Sequence, residues 1–309
     1  MSATGTRTVQ VSITISGLGR LFGDDLGRVL DFARAADDAG IDQLLMTDHV
    51  IIGPRTDRYP FGRFPYGPEE PWPEPLTTLA AIAGATSRVR LGTGVLVAPL
   101  RAPVLLAKTV ATLDALSRGR VDLGVGTGWQ QEEFDALGVP FRGRGARLDD
   151  AIGACRALWT DEPPVSFTSP TVSFRDVWCE PRPGQPGGVP IWFGGAATGA
   201  TARRIATLGS GWMPVGVMPV DELAAGIDVI RGAFVDAGRD PATLGVRAGL
   251  PAVVGDDGRL DVEATWAPAP QLAAVGVTAA SLALGRGIRR YDDIPRFLVE
   301  LGAAARELG

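Results

Sequence analysis

Segments patterned as strands alternate with segments patterned as helices along the whole chain, and this alternation constrains the fold more than any other feature. Residues 9–15, 43–47 and 89–97 read as strands, and a fourth begins at residue 120. Residues 189–193, 211–215, 245–254 and 278–284 follow in the same style. Between them run helical patterns. The first is capped by Asp24 or Asp25, runs to Ala39 and is stopped by Gly40; others cover 74–86, 103–116, with Pro103 as first residue, and 144–159. Three more end near residues 208, 237 and 275, and the last spans 291–308. Such alternation implies parallel strands joined by crossover helices. Eight repeats with no break in composition favour a closed single-domain (β/α)₈ TIM barrel over residues 1–309, against an open doubly wound sheet.

Two proline- and glycine-rich stretches interrupt the rhythm, one after the second strand and one after the fourth. Both are read as barrel insertions between a strand and a helix. Residues 53–73 carry Tyr59, Phe61, Phe64, Tyr66 and Trp72, more aromatics than a disordered segment usually holds, so a pocket-forming loop is expected. Residues 160–188 hold a possible hairpin of 165–167 with 171–174.

Composition removes several functions. A net charge of −5 without a basic stripe gives nucleic acid no electrostatic footprint. The only cysteines, Cys155 and Cys179, and the only histidine, His49, cannot assemble a structural zinc site. Residues 1–8 read as a loose polar end. No signal core or membrane-length apolar run is present, so a cytoplasmic protein is expected.

Barrels of this kind build their active sites at the carboxyl ends of the strands. That rule selects Ser16-Gly17, Asp48-His49, Thr93-Gly94-Val95, Gly126-Thr127-Gly128-Trp129 and Gly194-Gly195. His49 suits proton transfer near neutral pH, or else a hydrogen bond in the core. Trp129 suits a wall for a flat ring, or a hydrophobic plug. Gly194-Gly195, opening a helix, suits a phosphate cradle, or a simple turn. The glycines of residues 124–128 suit close approach of a ligand, or packing alone.

The run Val121-Asp-Leu-Gly-Val-Gly-Thr-Gly128 also looks like the first motif of S-adenosylmethionine methyltransferases. That fold places the motif after its first strand, whereas here three strand–helix units precede it. The dinucleotide fingerprint fails as well, because no third glycine falls in register and no acid ends a following strand.

With these residues placed, the chain resembles the bacterial luciferase-like oxidoreductases, and most of all their coenzyme F420-dependent branch. Carrying the resemblance are Asp48-His49, Arg90-Leu-Gly-Thr-Gly-Val-Leu-Val97, Leu113-Asp-Ala-Leu-Ser-Arg-Gly-Arg120, Gly124-Val-Gly-Thr-Gly-Trp129 with Glu133-Phe134, and Ile191-Trp-Phe-Gly-Gly195. It implies a (β/α)₈ barrel, commonly a homodimer. It also implies a tricyclic ring at the strand ends, with Thr93, Gly94 and Val95 along its face and a non-prolyl cis peptide at Gly94-Val95. Gly126, Thr127, Gly128 and Trp129 would touch the ring or its side chain, Gly194, Gly195 and Ala196 the phosphate. Asp48 and His49 would lie near the reactive carbon.

Relatives acting on sugar phosphates carry a carboxylate where Trp129 stands, and Lys108 is the only lysine available to hold a substrate phosphate. The expectation is therefore hydride transfer between F420 and a small, fairly hydrophobic C=O, C=C or C=N substrate, with His49 moving the proton. The alternatives are an FMN-dependent monooxygenase of the same fold and a non-catalytic flavin-binding protein.

Overall fold

The alternation in the sequence becomes a ring of parallel strands. The computed structural model describes residues 9–307, so the loose end expected over residues 1–8 lies outside the described residues. The strands are β1 (Gln10–Ile15), β2 (Gln43–Met46), β3 (Arg90–Thr93), β4 (Leu96–Val97), β5 (Val121–Gly126), β6 (Val165–Thr168), β7 (Ser173–Val177), β8 (Ile191–Gly194), β9 (Gly211–Met213), β10 (Gly245–Gly249) and β11 (Ala279–Ala283). Nine of them form one sheet in the order β3-β2-β1-β11-β10-β9-β8-β5-β4, and a β3–β5 pairing closes it. Because β3 and β4 are two pieces of one barrel strand, the ring has eight positions and is a TIM barrel.

The expected third strand, residues 89–97, is therefore broken. Pairing runs Gly92↔Asp122 and then Leu96↔Val125. Four steps on one strand oppose three on the other, which defines a bulge. The bulge holds Gly94 and Val95, and their peptide bond is cis, as the family resemblance implies.

Alternation along each strand divides its side chains between two environments. Val11, Ile13, Ile15, Leu44, Met46, Leu123, Phe193 and Trp212 pack outward against the helices and are almost wholly buried. Each such side chain contributes roughly 1.5–3 kcal/mol. The inward set is polar for a barrel core: Ser12, Gln43, Asp122 and Arg247, all buried. Asp122 accepts from Arg90 Nε and Nη2, both at 2.8 Å, and from Gln43 Nε2.

Several helices begin as their sequences indicate. Pro75 and Pro103 stand at the first helical position, and the Glu74 side chain accepts from Thr77 N. The expected cap by Asp24 or Asp25 is not formed. The helix Arg28–Ala39 starts from Gly27, a short helix Leu18–Phe22 precedes it, and Asp25 instead accepts from Gly27 N. Gly40 ends this helix with φ 77°, a conformation that a side chain would oppose. The seventh strand stops at Gly249, and an unexpected short helix, Val262–Trp266, follows.

The hairpin β6–β7 forms with antiparallel pairing. It follows the helix Arg144–Thr160 and precedes β8, so it lies between a helix and a strand rather than directly after a strand. Among the described residues no helix is long and apolar enough to cross a membrane.

Candidate active site

At the carboxyl ends of the strands the barrel opens into a cavity of about 420 Å³. One wall is the aromatic insertion: Tyr59, Phe61, Phe64, Tyr66 and Trp72 all line it, and Trp129 closes the set from the end of β5. Their rings meet mostly edge to face. Tyr59 and Phe64 lie 5.2 and 5.3 Å from Trp129, and Tyr66 lies 5.2 Å from Trp72. Aromatic pairs favour that arrangement because a positive ring edge meets a negative face. The loop is tied down near its ends. Gly53 N donates to Gln130 Oε1 at 2.9 Å, and Glu70 Oε1 accepts from Gly19 N at 3.1 Å.

His49 sits beneath this wall, its side chain 9% exposed. Phe64, Trp72 and Trp129 surround it at 5.6, 4.7 and 5.7 Å between ring centres. Its Nδ1 lies 3.2 Å from Glu133 Oε2, and Glu133 is fully buried. The other oxygen of Glu133 accepts from Val50 N at 2.7 Å. A carboxylate only accepts, so this contact takes the imidazole hydrogen on Nδ1 and leaves Nε2, on a residue that lines the cavity, without one. The sequence alone gives Glu133 no role. The available signal was an acid just inside a helix start, Gln131–Ala136, four residues beyond Trp129.

Asp48 also lines the cavity, but its carboxylate is engaged by the protein itself. It accepts from Val97 N at 2.7 Å, from Arg101 Nη2 at 2.9 Å and from Arg101 Nη1. It braces the end of β2 against β4. Of the bulge residues, Gly94 and Val95 reach the cavity. Thr93 does not, and its Oγ1 donates to Gly124 O at 2.6 Å.

The glycines at the ends of β5 and β8 have a common reason. A Cβ on Gly126 would lie 2.7 Å from Val95 Cγ2, and one on Gly194 would lie 2.8 Å from Val95 Cγ1. Val95 projects over the barrel mouth between them. A Cβ on Gly128 would lie 2.6 Å from Val97 Cγ1. Gly195 has open space around it and a φ of 120°, so there the backbone conformation, not crowding, excludes side chains. Thr127, Gly128, Gly194 and Gly195 line the cavity, while Ala196 is exposed beyond its edge.

Three arginines that the strand-end rule does not select also line the cavity: Arg144, Arg247 and Arg286. Arg144 donates from Nε to Gly128 O at 3.1 Å and stacks on Phe141. The count of lysines was thus a poor guide to positive charge here. Among the described residues, three buried donor groups of the cavity lining make no hydrogen bond: Ser16 Oγ, Trp72 Nε1 and Arg247 Nε. Buried donors are normally paired, so these three stand out in the lining.

The barrel and its strand-end cavity agree with comparisons to known proteins. The sequence pattern of the luciferase-like monooxygenases matches residues 5–292, and the chain belongs to that family. An uncharacterized Mycobacterium tuberculosis protein is 34% identical over 231 residues, covering 74% of this chain and 75% of that one. The F420-dependent hydroxymycolic acid dehydrogenase of the same organism is 34% identical over 235 residues, covering 74% of this chain and 60% of its own. Among solved structures, an F420-dependent secondary alcohol dehydrogenase in complex with an F420-acetone adduct superposes with a TM-score of 0.77. It is 17% identical and the match covers 97% of this chain and 99% of that one, which is a likeness of fold. The protein is an oxidoreductase of the luciferase-like family, within reach of its F420-dependent dehydrogenases.

Proposed function

We propose that the protein uses coenzyme F420 to exchange a hydride with a small, fairly hydrophobic substrate bearing a C=O, C=C or C=N bond. The observation that carries this reading is His49, held by buried Glu133 at the mouth of an aromatic cavity. The residues present fit a deazaflavin. The bulge residues Gly94 and Val95 offer an edge for a flat ring, and the unpartnered donors of Ser16, Trp72 and Arg247 suit its carbonyl and nitrogen acceptors. Gly194 and Gly195, with Arg144 across the rim, suit a phosphate. When bound, the deazaflavin supplies hydride exchange in two-electron steps.

The chain's own residues do the rest. Trp72, Phe64 and Trp129 keep water from His49 and fix its ring plane. Nε2 of His49 gives a proton to a substrate heteroatom during reduction, or takes one during oxidation. Glu133 keeps Nδ1 protonated and so keeps Nε2 available for both. The apolar wall favours a substrate without a charged head group.

The test is turnover against a panel of hydrophobic ketones, enones and imines with reduced F420, using the wild type and His49→Ala. We expect His49→Ala to lower turnover by about 10²–10⁴-fold while its affinity for F420 stays near wild type. Equal turnover in the two proteins would remove His49 from the reaction.

A further inference from the structure

The aromatic insertion repeats one small unit. Tyr59-Pro60-Phe61 and Phe64-Pro65-Tyr66 each set a proline between two aromatic residues. A proline fixes its own backbone angle and pushes the residue before it into an extended conformation. Tyr59 shows this, with φ −60° and ψ 121°. Along an extended chain, residues two apart point to the same side. In each unit the two rings meet edge to face, 5.5 Å apart for Tyr59 and Phe61 and 5.7 Å apart for Phe64 and Tyr66. All four line the cavity.

The two units differ in what they face. Phe64 joins Trp72 and Trp129 around His49. Tyr59 and Phe61 form the outer part of the wall: Tyr59 rests on Trp129 at 5.2 Å, and Phe61 is 48% exposed. Aromatics of the core, such as Phe32, Phe193 and Trp212, are sealed, whereas every ring of the insertion keeps some surface uncovered. Among the described residues, 54–69 hydrogen-bond only within the insertion, so ring contacts seat this part of the wall on the barrel. The bulge and the end of β9 supply an aliphatic lining instead, with Val95, Met213, Val215 and Val217. Aromatic surface is thus gathered on one side of the cavity and left accessible at its outer end. An edge-to-face array that ends in accessible rings has room for one more ring, and each such pair gains beyond the area it buries.

We propose that Tyr59 and Phe61 are specificity-determining residues that take a flat aromatic group of the substrate as the next member of their array. The substrate class then narrows from hydrophobic in general to aryl-substituted ketones, enones and imines. This rests on the reading of function given above. Burial of apolar area alone does not select an aromatic ring over its saturated counterpart, which carries at least as much C–H surface. A wall of rings does select it, because the positive edge of one ring meets the negative face of the next. Pro60 restricts the backbone between Tyr59 and Phe61, which lowers the cost of ordering them around a ligand.

The experiment compares two ketones with one carbon skeleton, 2-acetonaphthone and its saturated counterpart 2-acetyldecalin. Each is titrated calorimetrically into the protein alone and with oxidised F420, where no reduction occurs. The proteins are the wild type, Tyr59→Phe, Phe61→Leu and the double variant Tyr59→Leu with Phe61→Leu, each checked by thermal melting. We expect the wild type to bind the aromatic ketone roughly 5- to 100-fold more tightly than the saturated one. Tyr59→Phe keeps the ring and should keep that preference, Phe61→Leu should reduce it, and the double variant should bring the two ketones level. Equal affinities in the wild type, no measurable binding of the aromatic ketone, or a preference that survives in the double variant overturns the proposal. Displacement of F420 by the aromatic ketone also overturns it, since the ring then lies in the cofactor's place. If the double variant does not fold, Phe61→Leu decides, and an unchanged preference there counts against the proposal. If the wild type does not bind F420, the cofactor reading falls, and the ratio measured on the protein alone still decides the aromatic site.

Discussion

At the scale of single residues, the pair of His49 and Glu133 organises the chemistry. Replacing Glu133 with Gln presents an N–H to Nδ1, which reverses the tautomer and leaves Nε2 protonated and unable to accept. We expect turnover to fall at least about 100-fold with cofactor affinity retained, and the pH dependence of kcat to change shape. A loss of only a few-fold, with the profile unchanged, would make Glu133 a structural acid. The glycines give a second test. Gly126→Ala sets a methyl group 2.7 Å from Val95 Cγ2, an overpacking of about 1–3 kcal/mol. Adding Val95→Ala removes the offending carbon, so the double variant should melt close to the Val95→Ala single variant. Additive losses would contradict the packing role. In the sequence Gly126 reads equally as packing or ligand approach, and Gly194 as a phosphate cradle or a turn. Gly126 and Gly194 prove to answer to Val95, a residue far away along the chain that no local pattern could pair with them.

At the scale of elements, the third barrel strand and its supports shape the mouth. Its alternation reads as continuous, and only pairing with β5 shows the extra residue. Asp48 stands at the end of the second strand, and the family resemblance puts it near the reactive carbon of the cofactor. In the fold its carboxylate holds Val97 and Arg101, and removing one side of such a buried pair, as in Asp48→Ala, should cost about 3–5 kcal/mol in denaturant unfolding. Loss below about 1 kcal/mol would contradict that role.

Asp37 does similar work at the opposite end of the strand. It accepts from the N–H groups of Ser87, Arg88 and Val89 at 2.9, 3.0 and 2.6 Å, tying the helix Arg28–Ala39 to the entry of β3. Burial alone would raise its pKa, but these bonds outweigh it and hold the carboxyl below its ordinary 3.8. A depressed folded pKa stabilises above the unfolded value and is lost as pH falls through the folded one. Asp37→Asn should therefore cost about 1–3 kcal/mol near pH 7, with the gap to wild type closing below about pH 3.8. A gap of constant size down to about pH 2 would contradict this.

At the scale of the whole molecule, the barrel was legible because its signal is redundant. Eight strand–helix repeats report one architecture, and an error in any single boundary, such as the strand ending at Gly249 rather than Val254, leaves the count intact. The site was legible where residues stand at strand ends: His49, Gly94, Val95, Trp129 and Gly194 do line one cavity. It was less legible where function depends on depth. Arg247 looks like an ordinary charge on a short strand until closure of the ring turns it inward, and Glu133 gains meaning only across the gap to His49.

Which ring this barrel holds decides between the F420 and FMN readings. Fluorescence titration of the purified protein with F420 and with FMN answers it. Saturable F420 binding in the micromolar range with no FMN binding is expected. Tight FMN binding with no response to F420 would contradict the F420 reading.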